Sequence, residues 1–296
     1  MGYLPCDTRI KIGTLKICDD ARGQRLGEGA IGPALWYWQK SKLDQIYVTA
    51  FPKHDSLIHI LKSFGFISGG TKGGEEVFYK DKKKISYDDP KKSFPYLNPS
   101  FRRGGYLPIE DRCHDQMFQF SELKRTHQQE VVMAASDGTT KIYVATPCGQ
   151  LDYNPGDMIF TYRRHLGYGK TCRSAVTSFC TLVECIPVKV DGVRIKPYSE
   201  FRDYAGNKIV LTKEEILKMY EKKNGYALTP IYNGYFGAGN NVAHYKLKEE
   251  GLFEGHPYGV KLSADQVIKI METGGKNEKD IIIDKSRTRE QYPERN

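Results

Sequence analysis

The chain has 296 residues, 39% of them apolar and 27% charged, with 45 Lys and Arg against 36 Asp and Glu and a formal net charge of +9. That composition describes a folded chain of one or two domains, and no apolar run reaches the ~20 residues of a membrane span. The seven cysteines are odd in number and irregularly spaced, which argues against a disulfide framework and fits a reducing cytoplasm.

A cytoplasmic location is therefore expected, because the opening MGYLPCDTRIKIG also lacks a basic-then-apolar export pattern. Cys113-His114 and the Cys180/Cys185 pair lack zinc-ligand spacing, so no metal is expected. The positive charge favours polyanionic partners, and nucleic acid and coenzyme A both qualify.

The first element is the stretch Thr8 to Ile31. Ile10, Ile12, Leu15 and Ile17 give a strand, Asp19 to Gly23 a tight turn, and a helix is predicted from about Gln24 to Lys40. A helix N-terminus carries unsatisfied N–H groups and partial positive charge, and glycines let an anion approach them. Arg22 and Arg25 add full charge beside Gly23, Gly27 and Gly29. Residue types alone leave two readings open here, a phosphate-binding turn or a packing turn. Gln45 to Ala50 then reads as a strand and Asp55 to Phe64 as a short helix capped by Asp55. Gly65-Phe66 and the strand Glu75 to Lys80 follow.

The run Arg22-Gly23-Gln24-Arg25-Leu26-Gly27-Glu28, followed by that strand, helix, Gly-Phe and hairpin, resembles the C-terminal half of a GNAT-family N-acetyltransferase over residues 6–82. The family loop reads Arg/Gln-x-x-Gly-x-Gly/Ala. Here Arg25 takes the place of the first glycine if Arg22 opens the motif, whereas Gln24-x-x-Gly27-x-Gly29 fits in a shifted register. The resemblance implies a partial mixed sheet with helices and acetyl-CoA as the acyl donor. It places the pantetheine arm along the strand at Leu15 and Ile17, and the pyrophosphate at Arg22, Gly23, Gln24, Arg25, Gly27, Glu28 and Gly29. Transfer would go to an amine acceptor by direct attack on the thioester. Where the family often has its tyrosine acid, this chain has Leu61. His59 lies on another side of the helix, and His54 and Asp55 stand where an asparagine often opens it. No catalytic acid or base is assigned. The strands that precede the cofactor strand in the family have no counterpart here, which leaves three readings. They are a piece of a longer protein whose upstream segment completes the half-domain, completion by another chain, or a degenerate domain, with the first favoured.

Residues 80–104 are rich in charge, proline and glycine and read as a solvated connector. A short helix is predicted around Asp115 to Lys124. The division expected is residues 1–82, a linker and bridge over 83–137, a second domain over 138–284 and a charged tail over 285–296. In the second domain Lys141 to Thr146, Met158 to Arg163, Ser174 to Val190 and Tyr226 to Phe236 read as strands. Asn154 to Asp157 is a turn. Helices are predicted over Thr212 to Lys223 and Ser263 to Thr273, each opened by a capping box.

The run Pro155-Gly156-Asp157 before a strand, then a Val/Thr-rich strand, resembles the ASCH and EVE domains of the PUA-like superfamily over about residues 138–284. This implies a small β-barrel with peripheral helices, so the fold class expected for the whole chain is α/β (α+β). It also implies binding of RNA or a modified nucleotide in a cleft between barrel and helices. Tyr162, Arg163, Arg164, Lys170 and Arg173 gather aromatic and basic side chains at the end of a strand, as base stacking plus phosphate contact requires. Snorkelling and core packing would use the same residue types. Two functions follow: an acetyl-CoA-dependent N-acyltransferase with an attached RNA-binding domain, or an inactive binding module for RNA or a modified nucleotide.

Overall fold

The computed structural model describes residues 9–13, 15, 25–123 and 137–277. They divide into two compact units, one ending at Pro99 and the other beginning at Ser100.

The first unit contains β1 (Arg9–Lys11), α1 (Leu26–Lys40), β2 (Gln45–Ala50), α2 (Asp55–Ser63), β3 (Ile67–Lys72), β4 (Glu75–Asp81) and α3 (Pro90–Ser93). The sheet order is β1-β2-β4-β3; β1 runs parallel to β2, and the other pairs are antiparallel. In β2 the period-two rule puts Ile46, Val48 and Ala50 on the buried face. In α1 Ile31, Leu35 and Trp38, spaced to share one helix face, are fully buried. Asp55 does not cap α2: His54 occupies the N-cap, and no side-chain cap bond forms there. Phe94, Tyr96 and Leu97, within the stretch expected as a connector, are buried in this unit.

Lys80, also in that charged run, is 2% exposed. Its ammonium donates to the carbonyls of Phe64, Lys92 and Phe94 at 2.7, 2.7 and 2.6 Å, which uses all three of its donors. Gly65 makes this convergence possible. It has φ +78°, and a Cβ there would lie 2.6 Å from the Lys92 carbonyl oxygen.

The second unit contains β5 (Arg103–Glu110), α4 (Asp111–Met117), β6 (Tyr143–Ala145), β7 (Met158–Arg164), α5 (Lys170–Arg173), β8 (Ala175–Val190) and β9 (Val193–Arg194). It continues with α6 (Tyr198–Ala205), α7 (Lys213–Tyr220), β10 (Gly225–Tyr235), β11 (Val242–Ala243), α8 (His244–Glu249), β12 (Leu262–Ser263) and α9 (Ala264–Thr273). The helix expected from Asp115 thus begins at Asp111. Both predicted capping boxes form, Thr212 with Glu215 and Ser263 with Gln266. Phe201 and Ala205 of α6 and Ile216 and Tyr220 of α7 pack with Val144, Val188 and Ala227, holding both helices on the sheet.

The main sheet runs β12-β5-β7-β8-β10-β6, with β9 and β11 also paired to β8. Among the described residues no ladder joins its ends, so the small β-barrel expected from the sequence is not formed. The fold is an open mixed sheet flanked by helices. The reason lies at the outer edge of β5. There β12 pairs only with Arg103 and Gly104. Beyond them the Tyr106 carbonyl accepts the Tyr153 hydroxyl at 2.8 Å, and the Pro108 carbonyl accepts the Tyr143 hydroxyl at 2.6 Å. Pro108 has no N–H to offer a closing strand, so side-chain hydroxyls satisfy this edge instead of a backbone ladder. Gly105 admits the first of them, since a Cβ there would lie 2.7 Å from the Tyr153 ring.

Candidate functional site at the open seam

Where the sheet fails to close there is a cleft of about 530 Å³. That volume suits a small organic ligand. Its walls come from β5 (Pro108, Ile109, Glu110), α4 (Arg112, Cys113), β6 (Tyr143), α7 (Glu215, Lys218) and the turn His256–Tyr258. The Tyr143 and Tyr258 hydroxyls lie 2.7 Å apart, and the His256 ring sits 5.5 Å from that of Tyr258, tilted by 36°. Burial pushes the Tyr258 phenol up to about 12 and that of Tyr143 well above its ordinary range. Both therefore stay protonated at neutral pH.

Charge in the cleft is mixed. Arg112 donates to Glu215 at 2.5 Å, and Arg164 donates to Glu110 at 2.9 Å. The Nε of Arg164 is enclosed with no acceptor among the described residues. Lys218 is exposed at the rim. The Glu215 carboxyl is held below its ordinary value, first by the Thr212 N–H of the capping box and then by Arg112. Burial raises the Cys113 thiol despite Arg112 beside it, so it is not poised as a thiolate nucleophile. Among the described residues no three His, Cys, Asp or Glu side chains gather to hold a metal ion.

The nucleic-acid set proposed from sequence is divided by the strand. Arg163 and Arg164 are neighbours in β7 and project to opposite faces. Arg164 lines the seam cleft, whereas Arg163 forms a bidentate pair with Asp115 at 2.8 and 2.9 Å. Tyr162 is 5% exposed and packs against Tyr106 and Phe253, its hydroxyl 3.0 Å from His244 Nδ1. Lys170 and Arg173 are exposed on α5. Tyr143, Tyr258, Arg112 and Lys218 were not singled out from sequence. The two tyrosines stand 115 positions apart, and no local pattern links them.

In the first unit Ile17, Arg22, Gly23 and Gln24 lie outside the described residues, and Leu15 is half-buried. Arg25 stands at the N-cap of α1 with φ 60° and donates to Glu28 at 2.5 Å. Glu28 also accepts from Lys91 at 2.7 Å. Burial alone would raise the Glu28 carboxyl, but Arg25 and Lys91 together hold it below its ordinary value. Gly27 is buried, and the Gly29 N–H bonds the Arg25 carbonyl at 3.1 Å.

No protein-family profile matches the chain, and no curated protein matches it in sequence. Among solved structures, a mutant of the ASCH protein ZmASCH from Zymomonas mobilis is similar at 11% identity. The match covers 58% of this chain and 96% of that one, with a TM-score of 0.37. So low a score leaves a weak structural similarity to an ASCH-fold protein and nothing finer. Among the described residues no helix is long and apolar enough to cross a membrane.

Proposed function

We propose that the second unit is a binding module that receives an unstacked base of single-stranded RNA, or of a modified nucleotide, in the seam cleft. The observation that carries this reading is the enclosed Arg164 Nε, a donor without an acceptor beside the Tyr143–Tyr258 pair. A buried donor left unpaired costs free energy, and a turn of the half-exposed Arg164 side chain that presents Nε to a ligand oxygen recovers it. The rings of Tyr258 and His256 offer a stacking surface. Glu110 and Glu215 offer acceptors for base amines, and Lys218 at the rim faces the backbone. The formal net charge of +9 agrees in sign with a polyanionic partner.

The test is fluorescence anisotropy with a labelled random-sequence RNA of about 12 nucleotides, titrated at several salt concentrations. Binding should weaken steeply as salt rises, and Tyr258→Ala and Lys218→Glu should each weaken it, the former by about tenfold. Absence of binding in low salt, or affinity indifferent to both substitutions, would refute the proposal.

A further inference from the structure

A second cavity, of about 570 Å³, lies on the opposite side of the β7 end and is lined by Asp111, Arg163, His165, Cys172, Arg173 and Asn241, among others. Strand alternation in β7 sends Arg164 to the seam and Arg163 to the second cavity, and Glu110 and Asp111, where β5 gives way to α4, divide between the same two cavities. The loop after β7 carries Tyr168, which is 97% exposed, between Gly167 and Gly169. Lys170 and Arg173 follow it, exposed and in no ion pair among the described residues. So exposed an aromatic ring adds nothing to the core. Beside two cations it has the composition of a stacking platform for a nucleic-acid strand.

Inside the cavity a second feature points to a ligand. Asn241 donates through Nδ2 to the Glu122 carbonyl at 2.6 Å, while its Oδ1 is enclosed and has no donor among the described residues. Asp111 is already engaged, accepting from His165 Nδ1 at 2.8 Å, so it leaves Arg173 as the cation at the mouth.

We propose that this cavity, with Tyr168 and Arg173, is a second nucleotide subsite. The unit then takes two or more linked nucleotides of a single strand rather than a mononucleotide. The inference rests on the seam reading and extends it: the strand rounds the end of β7, one base enters the seam, the next stacks on Tyr168, and Arg173 meets the phosphate. Asn241 Oδ1 accepts a hydrogen bond from the second nucleotide, whose donor is a ribose 2′-hydroxyl or an exocyclic amine.

The experiment compares a labelled random ribotrinucleotide pool with the four ribonucleoside monophosphates as competitors, on the full chain. The native protein should bind the trinucleotide at least about tenfold more tightly. Tyr168→Ala, at a position exposed enough to leave folding intact, should erase that advantage, and Arg173→Ala should reduce it. Equal affinity for the two ligands, or an advantage that survives Tyr168→Ala, overturns the second subsite. If Tyr258→Ala still weakens both ligands in that case, the seam reading stands alone. If neither ligand binds, both readings fall. A deoxyribotrinucleotide arm identifies the donor: weaker binding assigns it to the 2′-hydroxyl, and equal binding to a base amine.

Discussion

Tyr143 and Tyr258 share one hydrogen bond whose direction is set by a third group. A phenol has a single proton, and that of Tyr143 goes to the Pro108 carbonyl at 2.6 Å. The 2.7 Å contact between the hydroxyls is therefore made by Tyr258 donating to Tyr143. Tyr258 thus faces the cleft with lone pairs and no proton to give. Tyr143 holds the unclosed edge of β5 and also orients the group that meets a ligand.

Replacing Tyr143 by Phe removes both bonds at once. The Pro108 carbonyl and the Tyr258 proton lose their partners, and the ring volume is kept. The expected loss is about 1–3 kcal/mol of unfolding free energy, read from the midpoint of a urea titration with an unchanged slope. An unchanged midpoint would mean that water replaces the hydroxyl and that the seam is wetter than its geometry indicates.

What could be read from the residues alone was what neighbours in the chain decide. Thr212 with Glu215 and Ser263 with Gln266 cap their helices across three positions, and both boxes form as expected. The long strand read over Ser174 to Val190 is β8 over Ala175–Val190. Barrel closure was not legible in the same way. It turns on Tyr153 reaching Tyr106 across 47 positions and on Tyr143 reaching Pro108 across 35. The basic cluster is divided between two faces for a different reason. Grouping Arg163 with Arg164 by adjacency ignores the alternation that sends neighbours in a strand to opposite faces. Lys80 sits in a charged run that reads as solvated, yet three carbonyls from distant turns enclose it. An uncharged amine has only two N–H groups for those three acceptors. The geometry is that of an ammonium, even though burial pulls the amine down to about 7.

Acid should weaken the second unit in two steps, and the sign follows from a buried histidine. His114 is fully buried, stacked on Phe118, with Nδ1 2.8 Å from Asp115 and Nε2 2.7 Å from the Thr177 hydroxyl. Burial lowers its pKa; Asp115 opposes the shift and Arg163 adds to it. The folded state thus favours neutral His114, and the stability this confers is present above the unfolded value of about 6.5 and lost as pH falls below it. Asp115 behaves alike at lower pH. Burial would raise it, but hydrogen bonds from Arg163 and His114 hold it well below 3.8, so its contribution disappears as pH drops through and below that value. Urea midpoints measured from about pH 8 to pH 3 should fall first near 6.5 and again below 4. His114→Gln should reduce the first fall, and the second should persist because Arg163 still holds Asp115. A native profile flat between pH 7 and 5 would contradict this account.

The opening of α1 provides a prediction about acetyl-CoA. The amides at a helix start favour an anion, and here a carboxylate of the chain itself stands in the first turn. Glu28 is clamped by Arg25 at 2.5 Å and Lys91 at 2.7 Å, with only 14% of its side chain exposed. A pyrophosphate arriving at this turn would meet that negative charge, and the Arg25 charge is already neutralised. Isothermal calorimetry of the full chain with acetyl-CoA should give no saturable heat at about millimolar ligand, where even binding worth ~4 kcal/mol would register. Glu28→Gln should remove the competing charge, so any latent diphosphate affinity should emerge in that variant and weaken with salt. Micromolar binding by the native chain would show that the turn grips the cofactor despite Glu28, and the acyltransferase reading of the first unit would then take precedence.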